Sequence, residues 1–191
     1  MKKYKNIFLI LAILCSIIFC VWATVRIVKV VQFNFGCEAY LKRAADANTV
    51  EMAKEELAKA IKYAEDNNLT EGIVSIFLKN PANDIGFWYK NITSAYKELA
   101  ELPEDSTALE KTNVLMKLRE SLTDRGSDSG TSVILPEGIT IYPNNVMYFW
   151  WGMLSVAASC LFWTLFIAAL DLEIKSVKTS VNVNTIKRKE R

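Results

Sequence analysis

The sequence predicts an all-α membrane protein. Two transmembrane helices flank a small extracytoplasmic antiparallel helical bundle, and a short β-hairpin-like segment precedes the second span. Three observations predict this: two long uncharged runs near the ends, apolar residues at helical spacing between them, and an uneven placement of charge. The chain has 191 residues, 51% of them hydrophobic, with a net charge of +2. Where those residues fall decides more than their average.

Residues 7–25 pass nineteen positions without a charge, and residues 146–170 pass twenty-five. About 20 apolar residues, rising 1.5 Å each, cross a hydrocarbon core of roughly 30 Å. Both runs are long enough. The first span is drawn over residues 7–31, because Ile27, Val28, Val30 and Val31 continue the apolar run past Arg26 and Lys29. Its competitor is a signal peptide cleaved after Ala23, with Lys2, Lys3 and Lys5 as the basic flank. The length of the run and its continuation weigh against cleavage. Neither uncharged run holds an ionisable carboxylate or amine, which argues against a proton relay or ion-coupled transport.

Charge sets the orientation. Residues 1–6 carry three lysines and no acid, and residues 171–191 carry six basic against three acidic residues, a net of +3. Residues 32–145 carry twelve basic against eighteen acidic residues, a net of −6. Positive flanks stay on the cytoplasmic side. Both termini are therefore expected in the cytoplasm and the central segment outside, across a plasma (bacterial inner) membrane. Arg26, Lys29, Lys42 and Arg43 oppose this count on the outer side.

The bundle is assigned to residues 32–124. Residues 32–47 extend the first membrane helix outward through Tyr40, Leu41 and Ala44, with Gly36 as a weak point where it kinks. Asn48 and Glu51 suggest a capping box, followed by Val50, Ala53, Leu57, Ala60, Ile61 and Ala64 at helical spacing. Asn80-Pro81 forces a turn, and Asp84 is the expected N-cap of a third helix from Ile85 to about Leu99. On that helix Trp88, Tyr89, Ile92, Tyr96 and Leu99 share one face. Phe87 points the other way. It either folds back on Phe77 and Leu78 or stands exposed as a contact for a partner. Thr107 with Glu110 opens a fourth helix reaching about Leu122.

Residues 125–145 are read as a linker and a short hairpin. Arg125 to Ser132 has a flexible composition, and residues 133–135 and 139–142 read as two β runs about Pro136, Glu137 and Gly138. The second span covers residues 146–170 and opens on Tyr148, Phe149, Trp150 and Trp151, an interfacial aromatic belt. Gly152, Ser155 and Ser159 form a small-residue stripe that admits a close helix neighbour, in this chain or another subunit. In the tail, Lys175, Lys178, Lys187, Arg188 and Lys189 suit anionic headgroups.

The sequence has no enzymatic signature. It contains no histidine, no phosphate-cradling glycine loop and no metal-ligand spacing, so no catalytic residue, cofactor or metal is expected. Glu55-Glu56 and Glu104-Asp105 read as solvated faces or caps. Cys37 lies alone outside the uncharged runs, which makes it a buried thiol or an intermolecular link. The acidic central segment disfavours nucleic acid.

The plan resembles bacterial receptors in which a helical sensor bundle is flanked by two membrane helices. Residues 171–191 are too few for an output domain, so that resemblance implies signalling through another protein. The expected function is therefore a non-enzymatic integral membrane protein whose outer helical domain binds another protein, as an accessory or assembly subunit. Its partners are the lipid bilayer and a protein or a second copy of the chain. A ligand-sensing module working through a partner is the alternative, and a small oligomeric pore ranks third.

Overall fold

The computed structural model describes residues 4–77, 79–125 and 131–189. Its elements run α1 (Lys5–Phe33), a π-helical turn (Asn34–Glu38), α2 (Ala39–Ala45), α3 (Val50–Asp66) and a 3-10 turn (Pro81–Asn83). Then come α4 (Ile85–Ala100), α5 (Ala108–Leu122), strands β1 (Thr123–Arg125) and β2 (Thr131–Val133), a second 3-10 turn (Ile139–Ile141) and α6 (Asn145–Lys189). By internal packing the chain divides into two units: Met1–Val25 with Met147–Arg191, and Arg26–Val146.

In the first unit α1 and α6 pair. Both are long and apolar enough to cross a membrane. Three contacts fix their direction. Lys5 Nζ meets Glu173 Oε2 at 2.7 Å, Ser16 Oγ meets Ser159 Oγ at 3.0 Å, and Trp22 Nε1 donates to the Tyr148 carbonyl at 2.8 Å. Numbers rise along α1 as they fall along α6, so the pair is antiparallel. Trp22 lies flat over Gly152, where an added Cβ would come within 2.6 Å of the indole. Trp163 Nε1 donates to Ser16 Oγ at 3.2 Å, and Ser16 Oγ donates to the Ala12 carbonyl at 2.8 Å, so Ser16, Ser159 and Trp163 form a polar cluster between the two helices.

The second unit is built on small residues. Ala53, Leu57, Ala60 and Ala64 form a fully buried stripe on α3, and Leu41, Ala44 and Ala45 do the same on α2. Alanine at these positions lets the two backbones approach closely. α3 packs on α2 and α4, and α5 packs on α2 and α4. Cys37 sits in the π-helical turn, fully buried, its thiol 3.8 Å from the Ala60 carbonyl. Gly36 takes the ring of Tyr63 where any Cβ would collide, and Tyr63 meets Phe33 edge-on at 5.9 Å between centroids. The expected weak point at Gly36 is thus a π-helical turn, a rare single-turn irregularity within a helix.

Caps fall largely where the sequence places them. Asp84 Oδ1 accepts from the Phe87 N–H at 3.0 Å, and Thr107 and Glu110 form a complete capping box. The cap of α3 is corrected by one residue: Thr49, not Asn48, holds the extended cap conformation, and its hydroxyl accepts from the Met52 N–H. α3 ends in a Schellman motif. Asn68 adopts φ +56°, and the N–H of Leu69 reaches back to the Ala64 carbonyl at 2.7 Å.

Two further expectations are overturned. Residues 133–135 and 139–142 do not pair. The hairpin joins β1 to β2 with Thr123 opposite Val133, and residues 139–141 form a 3-10 turn. Gly138, at φ +86°, turns the chain so that Ile139 enters the core, and Asn145 Nδ2 ties to the Gly138 carbonyl at 2.9 Å. Part of the expected linker therefore belongs to strands, while residues 126–130 lie outside the described residues. α6 runs unbroken from Asn145 to Lys189, through the residues of the expected tail.

Candidate functional site

The second unit opens a trough between α4 and α5. Three anchors hold its walls. The N-terminus of α4 is pinned by an antiparallel bridge between Ile73 and Asp84, with the Ile85 N–H on the Gly72 carbonyl at 2.9 Å and the Val74 N–H on the Asn83 carbonyl at 3.0 Å. Asn80 caps the 3-10 turn through the Ala82 N–H, which sets Pro81 beside α4. The Ile134 N–H reaches the Leu122 carbonyl at 2.8 Å and extends the β1–β2 ladder by one bond. That bond lays Ile134, Leu135 and Pro136 along the end of α5.

The result is a half-open hollow of about 380 Å³ lined by Pro81, Ala82, Asp84, Phe87, Trp88, Asn91, Ile92, Ser121, Leu122, Ile134, Leu135 and Pro136. A second hollow of about 320 Å³ shares Asn91 and Ser121 and continues past Ser94, Ala95, Glu98, Leu99, Val114, Lys117 and Leu118. The trough changes character along its length. Its first half is apolar with one carboxylate, Asp84. Its second half carries the pair Lys117–Glu98, at 2.7 Å.

Phe87 is 63% exposed on the rim, and Phe77 is 71% exposed. Leu78 lies outside the described residues. Trp88, its neighbour, is only 6% exposed and forms the floor, and its indole N–H has no acceptor among the described residues. Ile92 and Leu99 are buried on the same face. Tyr89 is half-buried, and its hydroxyl donates to Glu65 at 2.7 Å. That bond, with partial burial second, raises the tyrosine above its ordinary range.

The titratable groups of the trough are already engaged. Asp84 caps α4, and Glu98 is held by Lys117. Elsewhere, Glu56 is 6% exposed and takes both Arg43 (3.0 Å) and Lys59 (3.1 Å) on one oxygen. Lys59 also bonds Glu55 at 2.9 Å, which holds Glu55 below the usual carboxylate range. Both members of the Glu55-Glu56 pair are thus occupied by cations. Burial, with Glu38 second, pushes the Cys37 thiol up to about 12. Among the described residues no group of His, Cys, Asp and Glu could hold a metal ion.

The other sequence-predicted residues lie apart from the trough. Gly152 and Ser159 face α1 of the same chain, while buried Ser155 donates to its own Gly152 carbonyl at 3.0 Å. Lys175 pairs with Asp171 at 2.9 Å and Lys178 is exposed. The side chains of Lys187, Arg188 and Lys189 lie outside those described. Sequence reasoning missed Ser121, Leu122, Ile134, Leu135 and Pro136. The one signal was the apolar run at 133–135, which could be assigned a conformation but not a neighbour.

Compared with family models, with curated proteins and with solved structures, the chain matches none.

Proposed function

We propose that this chain is a non-enzymatic integral membrane protein whose extracytoplasmic helical unit binds another protein, as an accessory or assembly subunit. The observation that carries the reading is the trough beneath Phe87: a large aromatic left exposed on the rim of an apolar hollow. A rim aromatic over an apolar floor is the usual form of an interface anchor. Soluble surfaces seldom leave such a patch without use.

The helix pair supports the membrane placement. Lys5 with Glu173 marks one end, and Trp22 with Tyr148 and Trp151 marks the other. Seventeen residues of helix separate Lys5 from Trp22, about 26 Å of rise, close to a hydrocarbon core of roughly 30 Å. Charged groups at one end and an aromatic belt at the other suit two water–lipid boundaries. The antiparallel pairing supports both termini on one side, and the net charge of −6 on residues 32–145 supports the cytoplasm as that side. The membrane is taken as a plasma (bacterial inner) membrane.

A sensing role has one observation in its favour: 380 Å³ lies within the range of small-molecule sites. It ranks second because few polar groups converge there. A pore ranks third, since Ser16, Ser159 and Trp163 spend their polar atoms on one another.

Purification of the full-length chain in mild detergent tests the reading. A stoichiometric protein partner is expected, and Phe87→Glu is expected to release it. Recovery of the chain alone at monomer size, or retention of the partner by the variant, would count against the proposal.

A further inference from the structure

We infer that the trough between α4 and α5 takes an amphipathic helix of the partner protein, about three turns long, with a large apolar anchor at one end and a basic residue beside it. This inference rests on the partner-binding reading and names the partner's chemistry.

Length argues first. The trough follows α4 from Phe87 to Glu98, eleven residues or about 16 Å of helix rise, and a three-turn helix has the same length. The two hollows meet at a waist formed by Asn91 and Ser121. A helix presents side chains at i, i+4 and i+7 along one face, so it fills both hollows across the waist. A compact small molecule fills one and leaves the other.

Polarity argues second. The hollow over Trp88 is apolar, whereas the far one carries Glu98 and Lys117. An occupant that is apolar at one end and polar at the other matches this change along a single axis. Charge argues third. Among the described residues that line the apolar hollow, Asp84 is the one charged group. A lysine or arginine next to the apolar anchor is attracted there, and an acidic residue is repelled.

A second copy of the chain is the poorer occupant. Described stretches of this chemistry are α1 from Ile27 to Val31, exposed beside Arg26 and Lys29 and continuous with its own membrane helix, and the end of α6, where exposed Ile174, Val177 and Val181 accompany Lys175 and Lys178. In the topology proposed above the latter emerges on the opposite side of the membrane.

The test is selection of twelve-residue peptides from a random displayed library, on the full-length protein in lipid nanodiscs and on Phe87→Glu in parallel. Phe87 is largely exposed, so the variant retains its fold, checked by circular dichroism. Enriched peptides are expected to show apolar residues at i, i+4 and i+7 with an adjacent Lys or Arg. Their affinity should fall about tenfold or more on Phe87→Glu, the scale of one lost anchor. Leu109→Glu, an exposed leucine outside the trough, should leave it unchanged. Asp84→Asn should weaken basic peptides more than their Lys→Gln analogues.

No enrichment over the variant, or enrichment of proline-rich or non-periodic peptides, overturns the helix. Equal loss with Leu109→Glu overturns the site. A detergent-purified partner that cross-links at Leu109 but not at position 87 would sink this inference and leave the partner-binding reading standing. Recovery of a lone monomer removes that reading whatever the peptides do.

Discussion

Raising the pH from 8 to 10.5 should destabilise this protein through a single buried thiol. Cys37 is fully buried at the π-helical turn, between the Phe33–Tyr63 ring pair and the Ala60 carbonyl. An ordinary thiol loses its proton at 9.0, and burial delays this to about 12. Above pH 9.0 the unfolded chain therefore releases a proton that the folded chain keeps. The folded state binds more protons, so stability falls as pH rises, by ~1.4 kcal/mol per pH unit across that window. At pH 10.5 the loss reaches about 2 kcal/mol, a sizeable share of the 5–15 kcal/mol of an ordinary domain. Below pH 9.0 the contribution is fully present.

The assay is thermal unfolding of the full-length protein in detergent across pH 7 to 10.5, followed by circular dichroism, for the natural chain and Cys37→Ala. Tyr63 and Tyr89 are also raised above 10.0 and destabilise with the same sign; both chains share them except for the part of the Tyr63 shift that Cys37 itself causes, which counts with the thiol. The difference in slope between the two chains isolates Cys37. A maleimide pulse at pH 7.5 gives an independent readout. The native thiolate population should be about a thousandfold below that of an ordinary thiol, from the same displacement of 9.0 to about 12. Equal slopes in the two chains, or labelling of native Cys37 at the rate of an exposed thiol, would refute the burial argument.

Four other outcomes are expected. Gly152→Val drives a methyl-bearing carbon into the Trp22 indole, 2.6 Å away, and should destabilise the helix pair by about 1–3 kcal/mol, read as a lower unfolding temperature in micelles. In a double-mutant cycle of Ser16→Ala and Ser159→Ala the coupling should be small, about 0.6 kcal/mol, as is typical of interhelical hydrogen bonds in membranes. Thr107→Ala removes the hydroxyl that accepts from the Glu110 N–H at 3.2 Å and should cost about 1 kcal/mol in denaturant unfolding, whereas Glu98→Gln, breaking an exposed pair, should cost at most about 1 kcal/mol.

What the sequence makes legible is set by local physics. Uncharged runs mark the long helices, because no soluble helix needs twenty-five such residues. Caps are legible because a side chain and a backbone N–H three residues apart suffice; Asp84 and Thr107 both behave this way. The one-residue error at Thr49 has the same root, since Asn48 and Thr49 are both good caps and only the extended conformation of Thr49 separates them. The strand pairing was illegible for a different reason. Residues 133–135 can join any extended neighbour, and the pairing that formed sets residues 131–133 against Thr123 to Arg125, the last stretch of what reads as helix and linker. The trough depends on that choice, so it was illegible too.

Phe87 and Trp88 show how far one residue step can divide roles. They are adjacent in α4, about 100° apart around the helix, and both could have served the core. Trp88 is taken by the core because its face meets Ile92 and Leu99, one and three turns on. Phe87 could have been covered by α5, had that helix lain flush along α4. Instead the bond from the Ile134 N–H to the Leu122 carbonyl inserts an extended segment, and Ile134, Leu135 and Pro136 line the far wall rather than fill the gap. An aromatic kept on the rim, opposite a wall built from a separate strand, leaves apolar surface that water alone must cover. Binding a partner there relieves that cost, which is why the trough, and not the closed alanine-lined seam of α2 and α3, is where this protein is expected to make contact.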